Sequence, residues 1–331
     1  MSLTVGFAHL DCTLLMAPSM IGRMAPSPTG FLHPGHASSF GLAWLGARKS
    51  GGRLVLRIED IDNSRCKPEA NKAIMDDLMW LGIDYDGEVL LQTKQYEAHL
   101  AALNWLIEKN LAYPCTCSRL DIVRAASAHQ ESRLRAVTDR RYPGTCAIKC
   151  PDDAAKLRKE GIAYSWRLRT PKGGWPDFVD GWHGKISGLV AEDEGDFLIW
   201  RAAKGNQASG PSYQLAVVID DTHQGVNQVV RGEDLINSTP KQIALLKLLG
   251  HPVPEYFHVP LVVNGSGNRF AKRAGSICLA DLRQQGMTAS DVIGRLATIW
   301  GFQQHERPLK LQDLVAHFDW EKLHNGPWLW Q

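Results

Sequence analysis

Two histidines three residues apart, set in a loop rich in proline and glycine, are the first residues of this chain whose types and spacing could do chemistry. The run from Arg23 to Ala37 reads Arg-Met-Ala-Pro-Ser-Pro-Thr-Gly-Phe-Leu-His-Pro-Gly-His-Ala. Pro26 and Pro28 fix their own φ and push Ala25 and Ser27 out of the α region, while Gly30 and Gly35 let backbone amides approach an anion closely. Residues Ala37 to Ser50 read as a helix, so His36 stands at a helix start, where unpaired N–H groups and the positive dipole end favour phosphate. A second constellation is built on sulfur. Cys115-Thr-Cys117 is followed, after a spacer of 24 residues, by Tyr142-Pro-Gly-Thr-Cys146. Two thiolates so close, with a third on a Pro-Gly turn, suit tetrahedral zinc. A basic loop, Arg269-Phe-Ala-Lys-Arg273, follows the turn Asn264 to Asn268 and carries Lys272 as a mobile point charge.

These groups must be positioned by regular elements. Leu54 to Ile58 is a short apolar run between glycines and acids, which suits a buried parallel strand. With the helix before it and a strand ending near Met24, it makes a βαβ unit whose loop lies at the strand's carboxyl end, where doubly wound sheets bind ligands. Helices are expected over Pro68 to Leu81 and Gln95 to Asn110. The pattern then breaks between about Leu111 and Leu198, a stretch with the cysteines and two strand-like runs, Tyr164 to Leu168 and Phe197 to Trp200. The core resumes at Tyr213, with a strand near Val226 to Val230, a helix over Thr239 to Leu249 and a strand over Phe257 to Val263. Helices at Ala289 to Gly301 and Leu311 to Phe318 close the chain.

Bulk properties narrow the classes. Thirty-seven Lys and Arg against 35 Asp and Glu give a net charge of +2, so any RNA contact must come from local patches such as Arg140-Arg141 or Arg167, Arg169 and Lys172. Seven cysteines, an odd number, argue for reduced thiols rather than a disulfide framework. The first 22 residues lack a basic n-region and are interrupted by His9 and Asp11, and no run reaches the ~18 apolar residues a membrane span needs. The expected location is the cytoplasm.

Five ordered blocks carry a resemblance. The Arg23 run is followed by Leu-Arg-Ile-Glu-Asp-Ile-Asp62, Ser-Tyr-Gln-Leu-Ala-Val-Val-Ile-Asp-Asp221, Val-Val-Arg-Gly-Glu-Asp-Leu235 and Phe-His-Val-Pro-Leu-Val-Val-Asn264, closed by the basic loop. In this order they resemble the catalytic core of the class I glutamyl-tRNA synthetases. His33-Pro-Gly-His36 matches the family's HIGH element, and Arg269 to Arg273 takes the place of its KMSKS loop. The 58 residues after Arg273 leave no room for a separate anticodon-reading domain, which makes the chain similar to the truncated paralogues that glutamylate queuosine in tRNA(Asp).

What the resemblance implies is specific. The fold would be α/β, a doubly wound Rossmann-type class I core. A leader of no assigned role (1–20) would precede the first half of the core (21–110), an inserted zinc-bearing acceptor-type domain (111–198), the second half with the KMSKS-like loop (199–276) and a short helical tail (277–331). ATP with Mg²⁺ would meet His33, Gly35, His36 and Lys272, with His33, His36 and Lys272 as the catalytic groups. L-glutamate would sit among Arg23, Ala25, Ser27, Glu59, Tyr213 and Arg231, the guanidiniums taking carboxylates and Glu59 the ammonium. Asp60, Asp62, Asp220 and Asp221 read as structural or strand-end caps, an acid near the ribose being the alternative. Val217 stands where full-length relatives commonly carry Asn. One structural zinc would be held by Cys115, Cys117, Cys146 and Tyr142, with Cys150 as a rival fourth ligand. The implied acceptor is the queuosine base of tRNA(Asp), with activation needing no RNA. Ordinary glutamyl-tRNA(Glu) synthetase activity and an inactive RNA-binding paralogue, the latter on account of the degenerate basic loop, are the alternatives.

Overall fold

A computed structural model describes residues 19–62, 65–122, 142–189, 195–203, 208–268, 270 and 277–330. Strand β1 (Ile21–Met24) pairs in parallel with β2 (Arg53–Ile58), Arg23 lying opposite Val55, and helix α1 (Pro34–Lys49) makes the crossover. Every residue of β2 after Arg53 is buried, as a strand covered on both faces requires. The helix begins earlier than Ala37: His33 is its N-cap in an extended conformation, and Pro34 takes the first helical position, where a missing N–H forfeits nothing. Next come α2 (Pro68–Leu81), the two-residue strand β3 (Leu90–Leu91) parallel to β2, and α3 (Tyr96–Glu108).

Strands β4 (Ala112–Cys115), β5 (Ser165–Leu168), β8 (Leu198–Arg201) and β9 (Gly210–Pro211) form an antiparallel sheet in that order, with α4 (Asp153–Lys159) beside it. The segment expected to stand apart does not stay together. Its strands β6 (Phe178–Asp180) and β7 (Gly184–Ile186) join β10 (Gln228–Gly232) and β11 (Glu255–Val259), in the order β10-β11-β6-β7. Helix α5 (Tyr213–His223) packs on β8 of the antiparallel sheet, and α6 (Thr239–Leu249) packs on α5 and puts Ile243 in one cluster with Val229 and Tyr256 of the second sheet. That sheet meets the first at β1, where the Asn227 side chain accepts the Ile21 N–H at 2.7 Å and Asn227 N–H donates to Ile21 O at 3.0 Å.

The single strand expected over Phe257 to Val263 is two, because Pro260 has no N–H to give a ladder: β11 ends at Val259 and β12 (Val262–Asn264) begins after it. Beyond α7 (Leu279–Gln284), the tail helix α8 (Ala289–Trp300) is capped at one end by Thr288, whose hydroxyl accepts the Asp291 N–H, and at the other by Gly301 with φ 91°. It lies close on α1. A Cβ at Gly41 would meet the Trp300 ring at 3.0 Å, and the Trp300 indole N–H donates to Ser38 Oγ at 3.0 Å. After α9 (Leu311–Val315), the chain returns as β13 (Trp328–Trp330), parallel to β12, and buries Trp328 in the same core as Trp44 and Trp300. No helix among the described residues is long and apolar enough to cross a membrane.

Most of the leader (1–18), the pair Arg140-Arg141 and, in the basic loop, Arg269 and Lys272 lie outside the described residues.

Candidate active site

The carboxyl ends of β1, β2 and β10 open on a cavity of about 460 Å³. Arg23, Ala25, Ser27, His33, Gly35, His36, Glu59, Tyr213 and Arg231 all line it, so the structure gathers residues more than 200 positions apart into one wall. The reason is topological: Arg23 sits on β1, Glu59 just past β2, Arg231 on β10, and Tyr213 opens α5. Val217, by contrast, is buried in an apolar cluster with Leu215 and Leu245 and is not part of this lining.

Beneath the wall runs a charged network. Arg57 is fully buried and donates from Nη1 to Asp221 Oδ1 at 2.7 Å and Gln224 Oε1 at 2.9 Å, and from Nη2 to Glu59 Oε1 at 3.2 Å. Burial alone would lower the pKa of this guanidinium, but the Asp221 and Glu59 carboxylates outweigh it and hold it above the ordinary value. Arg23 is less well served. It donates to Val230 O at 2.9 Å, approaches Asp221 only to 3.9 Å, and its Nε has no hydrogen-bond partner. Burial, with Arg231 and Arg57 nearby, lowers its pKa, against the attraction of Asp221. The Glu59 carboxyl is shifted upward by burial despite the facing Arg57 and Arg23. A wall with a buried, under-satisfied guanidinium and a nearly buried carboxylate is suited to a ligand that brings an anion to the first and a cation to the second.

The two histidines occupy the cavity's other side. Their ring centroids are 3.8 Å apart, and the His33 backbone N–H donates to His36 Nδ1 at 3.3 Å. That bond leaves the proton of a neutral His36 on Nε2, making it a donor away from the backbone. Gly35 has a steric role here, since a Cβ on it would sit 3.0 Å from the His33 ring. A second cavity of about 600 Å³ adjoins the first through Ser27, Glu59 and Tyr213 and runs out past Gln92, Ser212 and Arg201.

The cysteine cluster lies at the end of β4. The sulfurs of Cys115, Cys117 and Cys146 are all within 4.8 Å of one another. Tyr142 Oη is 3.4 Å from Cys115 Sγ and 3.8 Å from Cys117 Sγ, and accepts the Cys146 N–H at 2.8 Å. Cys150 is exposed and outside this group. Burial raises the Cys117 thiol to about 11; in Cys146 it is outweighed by hydrogen bonds from Thr116, Tyr142 and Cys117, which hold that thiol at about 6. Three soft sulfurs and one oxygen converging on a point fit a tetrahedral zinc. Arg167, expected as part of an RNA-facing patch, is buried against this cluster: its Nε reaches Cys115 Sγ at 3.3 Å and its guanidinium lies 3.7 Å over the Tyr142 ring. Arg169 is likewise spent, donating to the carbonyls of Ala147 and Lys149 at 2.7 Å.

Residues 19–331 match the family described as tRNA synthetases class I (E and Q), catalytic domain. The chain belongs to this family. Proteins named Glutamyl-Q tRNA(Asp) synthetase are similar to it over nearly their whole length: that of Rhodopirellula baltica is 40% identical, across 94% of this chain and 97% of the relative, and that of Nocardia farcinica 42%, across 93% and 92%. The glutamate–tRNA ligase of Synechococcus sp. is 36% identical, matched across 91% of this chain but 66% of its own length. Among solved structures, a glutamate tRNA ligase from Elizabethkingia meningosepticum superposes with a TM-score of 0.77 at 22% identity, covering 95% of this chain and 67% of that one, which speaks to the fold.

In this class I synthetase the support of the site was not read from its motifs. Arg57, Asp221 and Gln224 form the base under Arg23 and Glu59. Asp220 and Asp221 cap no strand: both are buried on α5, Asp220 receiving Gln92 Nε2 at 2.7 Å and facing His99 Nε2 at 2.8 Å. A charged pair at successive buried positions of an apolar helix was the available signal. Asp60 is structural, taking the Thr93 N–H and hydroxyl at 2.8 Å each.

Proposed function

We propose that this chain uses ATP to activate L-glutamate without RNA and transfers the glutamyl group to the queuosine base in the anticodon of tRNA(Asp). The observation that carries it is the pairing, in one cavity, of Arg23, Arg231 and Glu59 with the His33–His36 helix start. Glutamate brings two carboxylates and one ammonium, which is the complement of two guanidiniums and one carboxylate; Ala25, Ser27 and Tyr213 complete its pocket.

In the first step a carboxylate oxygen of glutamate attacks the α-phosphorus of ATP, the bond to the β-phosphate bridging oxygen breaks, and pyrophosphate leaves. The nucleophile belongs to the substrate, so the protein's part is positioning and stabilising charge. His36 Nε2 and the amides at the start of α1 donate to phosphate oxygens, and Lys272 would follow the departing pyrophosphate; Mg²⁺ on the phosphates would neutralise part of their charge. In the second step a ring hydroxyl of the acceptor base attacks the activated carbonyl carbon and AMP leaves. The adjoining cavity, open beside Ser27, Glu59 and Tyr213, is the approach for that hydroxyl. Cys115, Cys117, Cys146 and Tyr142 would hold one zinc, which supplies a structural tie between β4 and the turn at Tyr142 rather than a reacting group.

The test is ATP–pyrophosphate exchange with no RNA present. Exchange that depends on glutamate, and far less on glutamine, is expected. No exchange with glutamate would favour an inactive paralogue, and exchange that appears only on adding tRNA(Glu) would favour the ordinary ligase.

A further inference from the structure

Arg231 is held from behind by residues to which the sequence assigned no role: Thr239, and His258 from the block that ends at Asn264. Its guanidinium donates from Nε to His258 Nε2 at 3.0 Å and from Nη2 to Thr239 Oγ1 at 2.7 Å, with a longer approach of Nη1 to Tyr213 Oη at 3.4 Å. Arg231 and His258 are cross-strand partners on β10 and β11, and the next strand, β6, brings Asp180 opposite Tyr256. His258 and Asp180 are buried, with His258 Nδ1 2.6 Å from Asp180 Oδ2.

The direction of the protons follows from what Asp180 already accepts. The backbone N–H groups of Trp182, His183 and His258 all donate to its carboxylate, at 2.9, 3.0 and 3.1 Å. These bonds and that of the imidazole outweigh burial and keep Asp180 below the ordinary carboxylate range. An acceptor-only Asp180 obliges His258 to carry its hydrogen on Nδ1. Burial, and the Arg231 charge, keep the ring neutral, so Nε2 presents a lone pair to the Arg231 N–H. Tyr256, stacked on the imidazole at 10° between planes, holds the ring in place. With Nε and one Nη2 hydrogen so engaged and one Nη1 hydrogen turned to Tyr213, a hydrogen remains on each terminal nitrogen, the arrangement a carboxylate takes up bidentately.

We propose that Asp180 and His258 are positioning residues for glutamate: Asp180 fixes the imidazole tautomer, and the imidazole fixes the rotation of the Arg231 guanidinium toward the substrate carboxylate. This rests on the assignment of Arg231 to the glutamate pocket. It also gives the β6 excursion a purpose, since that strand delivers the terminal carboxylate of the chain Asp180–His258–Arg231.

Two substitutions divide the roles. His258→Asn keeps a donor for Asp180 but has no acceptor where Nε2 was; His258→Gln can return an amide oxygen to that place. In His258→Asn the KM for glutamate in pyrophosphate exchange, and the glutamate dissociation constant measured by calorimetry, should rise about tenfold or more, the scale of a lost hydrogen bond to a charged group. The KM for ATP should stay within about twofold, and His258→Gln should recover part of the loss. If His258→Asn does not fold, Thr239→Val removes the hydroxyl between Nη2 and Nε2 and should raise the glutamate KM several-fold with ATP unaffected. Unchanged glutamate binding in a folded variant, or equal losses for glutamate and ATP, overturns the proposal. Wild-type protein that binds no glutamate would instead overturn the proposed function, and this inference with it.

Discussion

The cleft between β1 and β10 and the cysteine cluster at β4 are both knots of polar groups in a largely apolar fold, yet they are completed differently. In the cleft, charge answers charge within the chain: Arg57 lies between Asp221 and Glu59, and Arg231 against His258 and Thr239. Arg23, which lines the cavity, is the least well matched: its Nε has no hydrogen-bond partner, as is also true of Arg57 Nε, and Asp221 comes no closer to it than 3.9 Å. In the cluster, three sulfurs and a phenol oxygen face one another, and Arg167 and Lys149 bring positive charge close, at 3.3 Å from Cys115 Sγ and 3.6 Å from Cys146 Sγ. The first region is preorganised by its own residues; the second has the donor set that a cation at its centre would complete.

Breaking the cleft should therefore cost the whole fold. Arg57→Leu leaves Asp221 and Glu59 buried without their shared cation, and a loss of about 3–5 kcal/mol is expected, read as a lower urea midpoint. His36→Ala, next in size, should lower the urea midpoint only slightly, by the loss of its bond to the His33 N–H, while lowering kcat for pyrophosphate exchange by roughly 10²–10³-fold, since its donor acts on transition-state charge.

The cleft also gives the molecule a pH dependence. His258 titrates at about 4 in the fold against 6.5 for an ordinary histidine, with burial as the main cause, the Asp180 bond opposing it, and Arg231 and His183 adding to it. Between these values the unfolded chain binds a proton that the folded one does not, so stability is fully present above about pH 6.5 and falls as pH drops toward 4, by roughly 3 kcal/mol. Asp77, pushed up to about 6 by burial beside Arg283, acts in the opposite sense, because the folded state then holds the extra proton. Urea titrations of wild type and His258→Asn across this range separate the two. The variant should lose the His258 slope and keep that of Asp77.

The cluster should yield locally and with smaller effect. Chelation is expected to loosen hydrogen-exchange protection along β4 and β5 before β1 and β2 are affected. Tyr142→Phe should lower the zinc content of purified protein, and Cys150→Ser should not.

Much of this was legible in order and little of it in depth. The βαβ unit and the helices over Pro68–Leu81 and Thr239–Leu249 follow from apolar runs and prolines, whereas the residues expected to line the cavity came with the family resemblance of the motif blocks. Spacing could not choose between Tyr142 and Cys150, because that depends on where a 24-residue spacer brings the chain back. The destination of β6 was hidden for a similar reason: Phe178 to Asp180 is three residues long, and its pairing with β11 is a long-range contact that no local pattern encodes. The fate of Arg167 was hidden as well. An arginine in a strand-like run reads as surface charge unless the sulfur cluster behind it is known.

The central claim is that the activated glutamate goes to a modified base and not to the end of its own tRNA. Charging with labelled glutamate, on tRNA(Asp) prepared with and without queuosine and on tRNA(Glu), tests it most directly. Label is expected on queuosine-containing tRNA(Asp) alone, released by base treatment as an ester would be. Equal labelling of both forms of tRNA(Asp), or labelling of tRNA(Glu) alone, would contradict it.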